Sequence, residues 1–193
     1  MRKVFLDCGG YDGRAAVKFN QFFPDFELFS FEPNFTLNKF YKNTNICFLP
    51  FAAWVENCNL DFYLDEKDYD GSSIFKEKKN IVGGKHVRVQ GIDFSTYVKN
   101  YFDKDDFIIV KMNIEGAEYK VLNKMIRSKS IEYINELFIE FHYKKINLPV
   151  SEHDQLVGKL EKAGLDLQIW GGIKRTHLMV EYLKNKYENN LYG

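Results

Sequence analysis

Residues 3–23 read KVFLDCGGYDGRAAVKFNQFF: a short apolar run, a turn with three glycines, then apolar residues three and four positions apart. This order predicts a strand at 3–7 and a helix at 13–23. A glycine-rich turn there lets a ligand approach the backbone, and the helix N-terminus favours negative groups. The turn reads GGYDG rather than GxGxxG, so alone it indicates a ligand loop or a plain tight turn with equal weight.

The same alternation of apolar runs and helical patterns continues along the chain. The apolar runs are almost uninterrupted, as expected of strands covered by helices on both faces, so an α/β fold with a mostly parallel sheet is predicted. The 193 residues suit one domain, spanning 1–193. Further strands are predicted at 27–32, 46–51, 107–113 and 136–142, and helices at 35–43, 93–102, 116–128 and 152–164.

Two stretches interrupt this alternation. Residues 60–90 have strand-like ends around a polar centre with DG and GG turns, which predicts an inserted hairpin or a long loop. After the helix that ends at Gly164, LDLQIW (165–170) and THLMVEYL (176–183) flank a GG turn and predict a closing antiparallel hairpin.

The overall composition limits the classes of partner. Lys plus Arg and Asp plus Glu number 27 each, so no global field gathers nucleic acid or an anionic membrane surface, and neither is expected as a partner. Three cysteines without a CxxC pair, and a charged start in place of a signal peptide, predict a reduced, cytoplasmic protein. His86, His153 and His177 lie far apart in sequence, so no metal site is predicted.

The end of the second predicted strand supports the ligand-loop interpretation. FSFEPN places Glu32 about 20 residues after the glycine turn, where a carboxylate can accept hydrogen bonds from ribose hydroxyls. The two motifs together indicate an adenosine-containing ligand. Asp7 and Asp12 flank the turn and would repel a pyrophosphate but suit an ammonium and a sulfonium group, which favours S-adenosylmethionine. NAD is the competing ligand.

Several motifs together resemble one known family. FLDCGGYDG, FEPN, FAAW, DGSSI, IDFSTYVKN, FIIVKMNIEGAEYKVL and LFIEFH occur in an order similar to the FkbM-type S-adenosylmethionine-dependent methyltransferases, over nearly the whole chain. The resemblance implies a class I methyltransferase fold: a Rossmann-like three-layer sandwich with a seven-stranded, mostly parallel sheet and an antiparallel last strand. It also implies methyl transfer to a hydroxyl group of a small molecule, and a sugar or glycan unit is the first candidate acceptor. The family's K-x-D-x-E-G segment has Asp where this chain has Asn113, so no role that needs a negative charge is assigned there.

Charged residues in two buried strands suggest where chemistry occurs. Alternation places Lys111, Asn113 and Glu115 on one face, and Glu140 with His142 on another. If the two strands are neighbours, as the class I arrangement implies, Lys111 and Glu140 can form a structural ion pair. Alternatively the strand ends carry the chemistry, since ligands of open α/β sheets bind there.

His142 is the candidate base. A base that takes the hydroxyl proton assists methyl transfer, and the ordinary pKa of histidine, about 6.5, suits neutral pH. Glu140 or Glu115 would orient the ring. The alternative is a histidine that caps a strand end and takes no part in catalysis.

Two further motifs each have a functional and a structural interpretation. In FAAW, Ala52 and Ala53 match family positions where adenine would lie flat, and core packing is the alternative. In DGSSI, Ser72 and Ser73 would be hydrogen-bond donors on a lid, and a hairpin turn is the alternative.

Together these observations predict a function and a set of site residues. The function expected is an S-adenosylmethionine-dependent O-methyltransferase with a small-molecule or saccharide acceptor, working as a monomer or homodimer. The alternatives are an NAD-dependent dehydrogenase or epimerase, and a catalytically silent S-adenosylmethionine-binding module. Cofactor contacts are predicted for Asp7, Gly9, Gly10, Asp12, Gly13, Glu32, Pro33, Asn34, Ala52, Ala53 and Asn113, acceptor contacts for Ser72, Ser73, Glu115 and His142, and catalytic roles for His142, Glu115, Glu140 and Lys111.

Overall fold

A computed structural model describes residues 1–187 apart from 66, 68 and 166. The strands in chain order are β1 (Lys3–Cys8), β2 (Glu27–Phe31), β3 (Cys47–Leu49), β4 (Phe51–Trp54), β5 (Cys58–Tyr63), β6 (His86–Asp93), β7 (Phe107–Met112), β8 (Glu136–Ile139) and β9 (Leu167–Ile169). The helices are α1 (Arg14–Phe22), α2 (Phe94–Tyr101), α3 (Glu118–Arg127), α4 (Val150–Lys162) and α5 (Thr176–Tyr187), with 3₁₀ helices at Phe35–Phe40, Ser130–Tyr133 and Ile173–Arg175.

The main sheet has six strands in the order β3-β2-β1-β7-β8-β9, and every pairing in it is parallel. Side chains alternate between its faces. In β1, Val4 and Leu6 pack with residues of α2, α3 and α4, whereas Phe5 packs with α1 and α5. Helices therefore cover both faces, which is the predicted three-layer α/β arrangement of the Rossmann-like type.

A second, smaller sheet has the order β4-β6-β5. The predicted strand at 46–51 is split by Pro50, which has no N–H for a sheet ladder. The part before Pro50 extends the main sheet, and the part after it, β4, pairs parallel to β6. β5 and β6 pair antiparallel, so the inserted hairpin predicted at 60–90 is confirmed at its two ends, with residues 66 and 68 outside the described part.

The predicted closing hairpin is wrong in its second half. Residues 176–183 belong to α5, and β9 runs parallel to β8, so the main sheet lacks the predicted seventh, antiparallel strand within the described ranges. The buried residues of α5 are Thr176, Met179, Val180 and Leu183, which is helical spacing. Helical packing against α1 buries this face, whereas a strand would expose every second residue.

The remaining predicted elements are confirmed within a few residues. The segment predicted as a helix at 35–43 is a 3₁₀ helix. The predicted single domain at 1–193 stays a prediction, and residues 188–193 lie outside the described part. Among the described helices, each is too short or too polar to cross a lipid bilayer.

Because the strands of the main sheet are parallel, their carboxyl ends meet at one edge. β1 continues into Gly9, β2 into Glu32, β7 into Asn113 and β8 into Glu140. The strands β2 and β7 flank β1 on opposite sides, so the strand order reverses at β1 and a crevice opens at this point. The fold thus gathers the predicted site residues from four separate segments.

Candidate active site at the carboxyl edge of the sheet

The glycine turn is shaped first by close packing. Gly9 has φ 79°, and a Cβ there would lie 1.8 Å from the carbonyl oxygen of Asn113. At Gly10 a Cβ would lie 1.8 Å from Ser30 Oγ. The N–H groups of Gly9 and Gly10 both donate to the Phe31 carbonyl, at 2.9 and 3.2 Å. These glycines are thus explained by the turn itself, and their N–H groups point into the protein.

Glu32 fixes the turn to the end of β2. Its Oε2 accepts from the Tyr11 N–H at 3.0 Å, and its Oε1 accepts from the Asn34 N–H at 2.8 Å. Burial raises the pKa of Glu32 to about 7, against the lowering effect of these two hydrogen bonds. Each carboxylate oxygen keeps a second lone pair for a ligand. Glu32 is thus a buried hydrogen-bond acceptor that titrates near neutral pH.

Two adjoining cavities open at this edge. The first, here called the Glu32 cavity, has an empty volume of about 570 Å³, including the part open to solvent. The second, here called the Trp170 cavity, has about 1080 Å³ on the same measure. Five of the described residues line both cavities: Gly9, Tyr11, Asp70, Asn113 and Glu115.

Most of the predicted cofactor residues come together at these cavities. The Glu32 cavity is lined by Gly9, Glu32, Pro33, Ala52, Ala53 and Asn113. The Trp170 cavity is lined by Gly10 and Asp12. Asp7, Gly13 and Asn34 are not among the described residues that line either one.

Lys111 is paired differently from the prediction. Its Nζ lies 2.9 Å from Asp7 Oδ1 and donates to the Gly9 carbonyl at 2.8 Å. Asp7 and Lys111 are register partners in β1 and β7, whereas the register partner of Lys111 in β8 is Phe138. The predicted pairing of Lys111 with Glu140 is therefore wrong, because Asp7 stands directly opposite. The ammonium also lies 4.4 Å from the centre of the Trp170 ring.

His142 is enclosed by carboxylates. Its Nδ1 lies 2.9 Å from Glu118 Oε1, and its Nε2 lies 3.3 Å from Glu115 Oε1 and 3.8 Å from Glu140 Oε1. Burial opposes protonation, but the adjacent carboxylates of Glu115 and Glu118 raise the pKa of His142 to about 9. The ring is therefore an imidazolium at neutral pH. The surroundings favour a role in positioning Glu115 over the predicted role as a base.

Glu115 is held from both sides at the junction of the two cavities. His142 lies on Oε1, and Lys78 Nζ lies 2.5 Å from Oε2. Burial would raise the pKa of Glu115, but the adjacent His142 ring and the charge of Lys78 lower it to about 2. Its φ of 54° is rare for a residue with a side chain, and such strain concentrates at functional sites. Glu115 is thus a fixed anion in an uncommon backbone conformation.

Glu140 and Asn113 are two further polar groups at these cavities. Glu140 lines the Trp170 cavity, and burial raises its pKa. Asn113 lines both cavities, and its Oδ1 is a buried acceptor without a donor among the described residues. Within the same part of the chain, His, Cys, Asp and Glu side chains form no group of three or more that could hold a metal ion.

The two predicted serine donors have different surroundings. The Ser73 hydroxyl donates to the Glu115 carbonyl at 2.7 Å and accepts from the Phe75 N–H, so it anchors its segment. The Ser72 hydroxyl accepts from the Asp65 N–H at 3.0 Å and lines the Glu32 cavity. Ser72 therefore lies beside the predicted cofactor residues, and Ser73 makes structural contacts.

Several site residues were not predicted. Trp170 lines the Trp170 cavity and packs on Lys111, although LDLQIW gave only a strand pattern. Lys78 is buried against Glu115, although its surroundings, KEKKN, are typical of a solvated surface. Tyr11 lies in the glycine turn itself, with φ 49°, and no sequence rule marked it.

Comparison with known proteins identifies the family. The description "Methyltransferase FkbM domain" belongs to the family whose profile matches residues 7–167. Searches of curated proteins and of solved structures return no significant match. The match covers most of the chain. It begins near the end of β1 and ends at the first residue of β9, so that β2, β3, β7 and β8 of the main sheet lie wholly within it. The chain belongs to the FkbM methyltransferase domain family.

Proposed function

We propose that this protein is an S-adenosylmethionine-dependent O-methyltransferase whose acceptor is a hydroxyl group of a small molecule. The first candidate acceptor is a sugar or glycan unit. One observation carries the proposal: the glycine turn donates its N–H groups inward, while the Glu32 cavity presents acceptors. Gly9 and Gly10 donate to Phe31, and Tyr11 donates to Glu32. Such a cavity suits the hydroxyls of a ribose and offers little to a pyrophosphate.

The residues present fit S-adenosylmethionine. Glu32 would accept from the ribose hydroxyls, and the small side chains of Ala52 and Ala53 leave a buried apolar wall for the adenine. The acceptor atom Asn113 Oδ1 and the anion Glu115 would face the ammonium end. When bound, this cofactor supplies an electrophilic methyl group on a sulfonium.

The Trp170 cavity is the place for the acceptor. Three of its cations lie beside carboxylates: Lys111 beside Asp7, Arg14 beside Asp12, and Lys145 beside Glu115 at 3.7 Å. Lys67 also lines this cavity, together with Asp65, Asp70 and Glu140. A ligand there meets acidic and basic side chains together, which favours a neutral hydroxyl-rich molecule over a strongly charged one.

Glu140 is the proposed base. It lines the Trp170 cavity, and burial raises its pKa towards the range in which a carboxylate takes a proton efficiently. His142 stays protonated and holds Glu115, which orients the acceptor hydroxyl at the junction of the cavities. Glu140 would take the proton of the acceptor hydroxyl, and the cofactor, when bound, would supply the methyl group that this oxygen receives, with the electron pair of the broken sulfur–methyl bond remaining on the sulfur.

The test is transfer of radiolabelled methyl from S-adenosylmethionine to a panel of neutral monosaccharides, compared with their phosphates and with simple aromatic alcohols. Labelled neutral sugar is expected with wild type, and a loss of a hundredfold or more with Glu140→Gln. Labelling confined to aromatic alcohols or to sugar phosphates would contradict the proposal.

A catalytically silent binding module is the second candidate. The observation that favours it is Asn113, a neutral amide at a position where the K-x-D-x-E-G segment would supply a carboxylate. Saturable cofactor binding without transfer to any acceptor of the panel would support this candidate. Methyl transfer by wild type, with faster transfer by Asn113→Asp, would exclude the binding-module candidate.

A further inference from the structure

Segment 64–85 connects β5 to β6, and its described residues, which are all but 66 and 68, form one wall of both cavities. Ser72 and Ile74 line the Glu32 cavity, and Gly71 and Asn80 line the Trp170 cavity. Asn80 Nδ2 donates to Asp65 Oδ2 at 2.7 Å and to the Gly71 carbonyl at 3.0 Å, so the segment is tied to itself. The completeness of the site therefore depends on what fastens this segment to the sheet edge.

Lys78 makes the charged attachment of this segment. Its side chain is 0% exposed, and its Nζ lies 2.5 Å from Glu115 Oε2 and donates to the Gly71 carbonyl at 2.5 Å. Its neighbours in the chain, Lys76 and Lys79, are exposed. A lysine is almost never fully buried unless it is paired, so this burial is specific to one position of the charged run.

Two neutral hydrogen bonds also attach the segment close to the same place. The Ser73 hydroxyl donates to the Glu115 carbonyl, and the Lys79 N–H donates to the Lys145 carbonyl at 3.0 Å. Lys78 itself is not among the described residues that line either cavity, so it can act on a ligand only through Glu115 and the segment.

We propose that Lys78 is a positioning residue: its ammonium group fixes the Glu115 carboxylate and fastens segment 64–85 over the sheet edge, so that both cavities are complete only while this ion pair is formed. On the other side of Glu115, the positively charged ring of His142 lies near Oε1. Lys145 lies 3.7 Å from Oε2, the oxygen that Lys78 contacts. Removing Lys78 leaves a buried carboxylate with less compensation, and local opening of the segment relieves this.

The test compares wild type with Lys78→Met and Lys78→Gln, and with Lys76→Met as a control that removes an exposed lysine from the same run. Hydrogen exchange is followed at the amides of Ser73 and Lys79, which are bonded to the Tyr63 and Lys145 carbonyls, and at the amides of β1 and β7. We expect exchange in the segment to be at least tenfold faster in both Lys78 variants, with β1 and β7 unchanged and Lys76→Met like wild type.

Binding of S-adenosylhomocysteine by calorimetry gives the second readout, and this readout rests on the proposed function. We expect the Kd to rise about tenfold in the Lys78 variants, because Ser72 and Ile74 no longer close the Glu32 cavity. Unchanged exchange in the segment would overturn the proposal, and so would faster exchange throughout the sheet, which marks a purely structural role. If wild type fails to bind the ligand, the proposed cofactor is wrong, and the exchange experiment still decides the role of Lys78.

Discussion

Glu32 gives the prediction that follows most closely from the structure, because its carboxyl group is both a proposed ribose acceptor and a group that titrates near neutral pH. Burial raises its pKa to about 7, with Lys111 and Asp7 as the charged side chains that act on it with opposite sign. Ribose hydroxyls donate to the carboxylate and not to the protonated oxygen. Binding should therefore require deprotonated Glu32, and the apparent affinity should fall as the pH falls.

The magnitude follows from the pKa. With a pKa of about 7, about 9% of Glu32 is ionised at pH 6 and about 91% at pH 8. The apparent Kd scales inversely with the competent fraction, so it should be about tenfold weaker at pH 6 than at pH 8. The sign is fixed, since a ligand that binds the ionised form must release a proton from the half-titrated enzyme near pH 7.

The assay is calorimetric titration with 5′-methylthioadenosine, which carries the adenosine portion without an ammonium or carboxylate that could titrate. Repeating it at pH 7 in buffers with different ionisation enthalpies counts the proton released. Glu32→Gln is the matched control, and it should bind more weakly with no pH dependence between 6 and 8. A Kd that is constant over this range in wild type, or an equal pH dependence in the variant, would show that the Glu32 carboxylate does not accept from the ligand.

Three further perturbations test other parts of the account. Lys111→Met should lower the free energy of unfolding in urea by about 3–5 kcal/mol, because Asp7 is left buried without its partner. The double variant Lys111→Met with Asp7→Asn should recover much of this loss, and equal losses in the single and double variants would contradict the pairing. The protonated form of His142 should add up to about 3 kcal/mol of stability below pH 6.5 that is lost as the pH rises through about 9, so urea unfolding at pH 7 and pH 10 should differ more in wild type than in His142→Gln. Gly10→Ala should lower the unfolding free energy by about 1–3 kcal/mol, because the added methyl lies 1.8 Å from Ser30 Oγ, and Ser30→Ala should restore part of it; an unchanged melting temperature in Gly10→Ala would show that the turn has room.

The sequence predicted the layered fold well because its signals are local. Continuous apolar runs marked β1, β2 and β7, and helical spacing marked α1 to α4. The exception is α5, where THLMVEYL contains aromatic and β-branched residues that suit a strand, although Met179, Val180 and Leu183 have helical spacing. The packing partner of the segment, α1, decided between the two and is not visible in the sequence.

The site was predicted in part for the same reason. Glu32, Asn113, Glu115 and Glu140 follow strands, so the parallel sheet brings them to one edge. The partner of Lys111 depends on the register of three strands, which no local pattern determines. Lys78 depends on how a long segment folds back, and nothing in KEKKN distinguishes the buried lysine from its exposed neighbours.

Direct calorimetric titration of wild type with S-adenosylmethionine, S-adenosylhomocysteine and NAD tests the central claim, which is that the inward-facing glycine turn and the acceptor-lined Glu32 cavity form a site for an adenosyl sulfonium cofactor. We expect saturable binding of the first two ligands, weakened in Glu32→Gln, and no binding of NAD, whose pyrophosphate would find the N–H groups of Gly9, Gly10 and Tyr11 already bonded. Saturable binding of NAD, with no binding of S-adenosylhomocysteine, would contradict it.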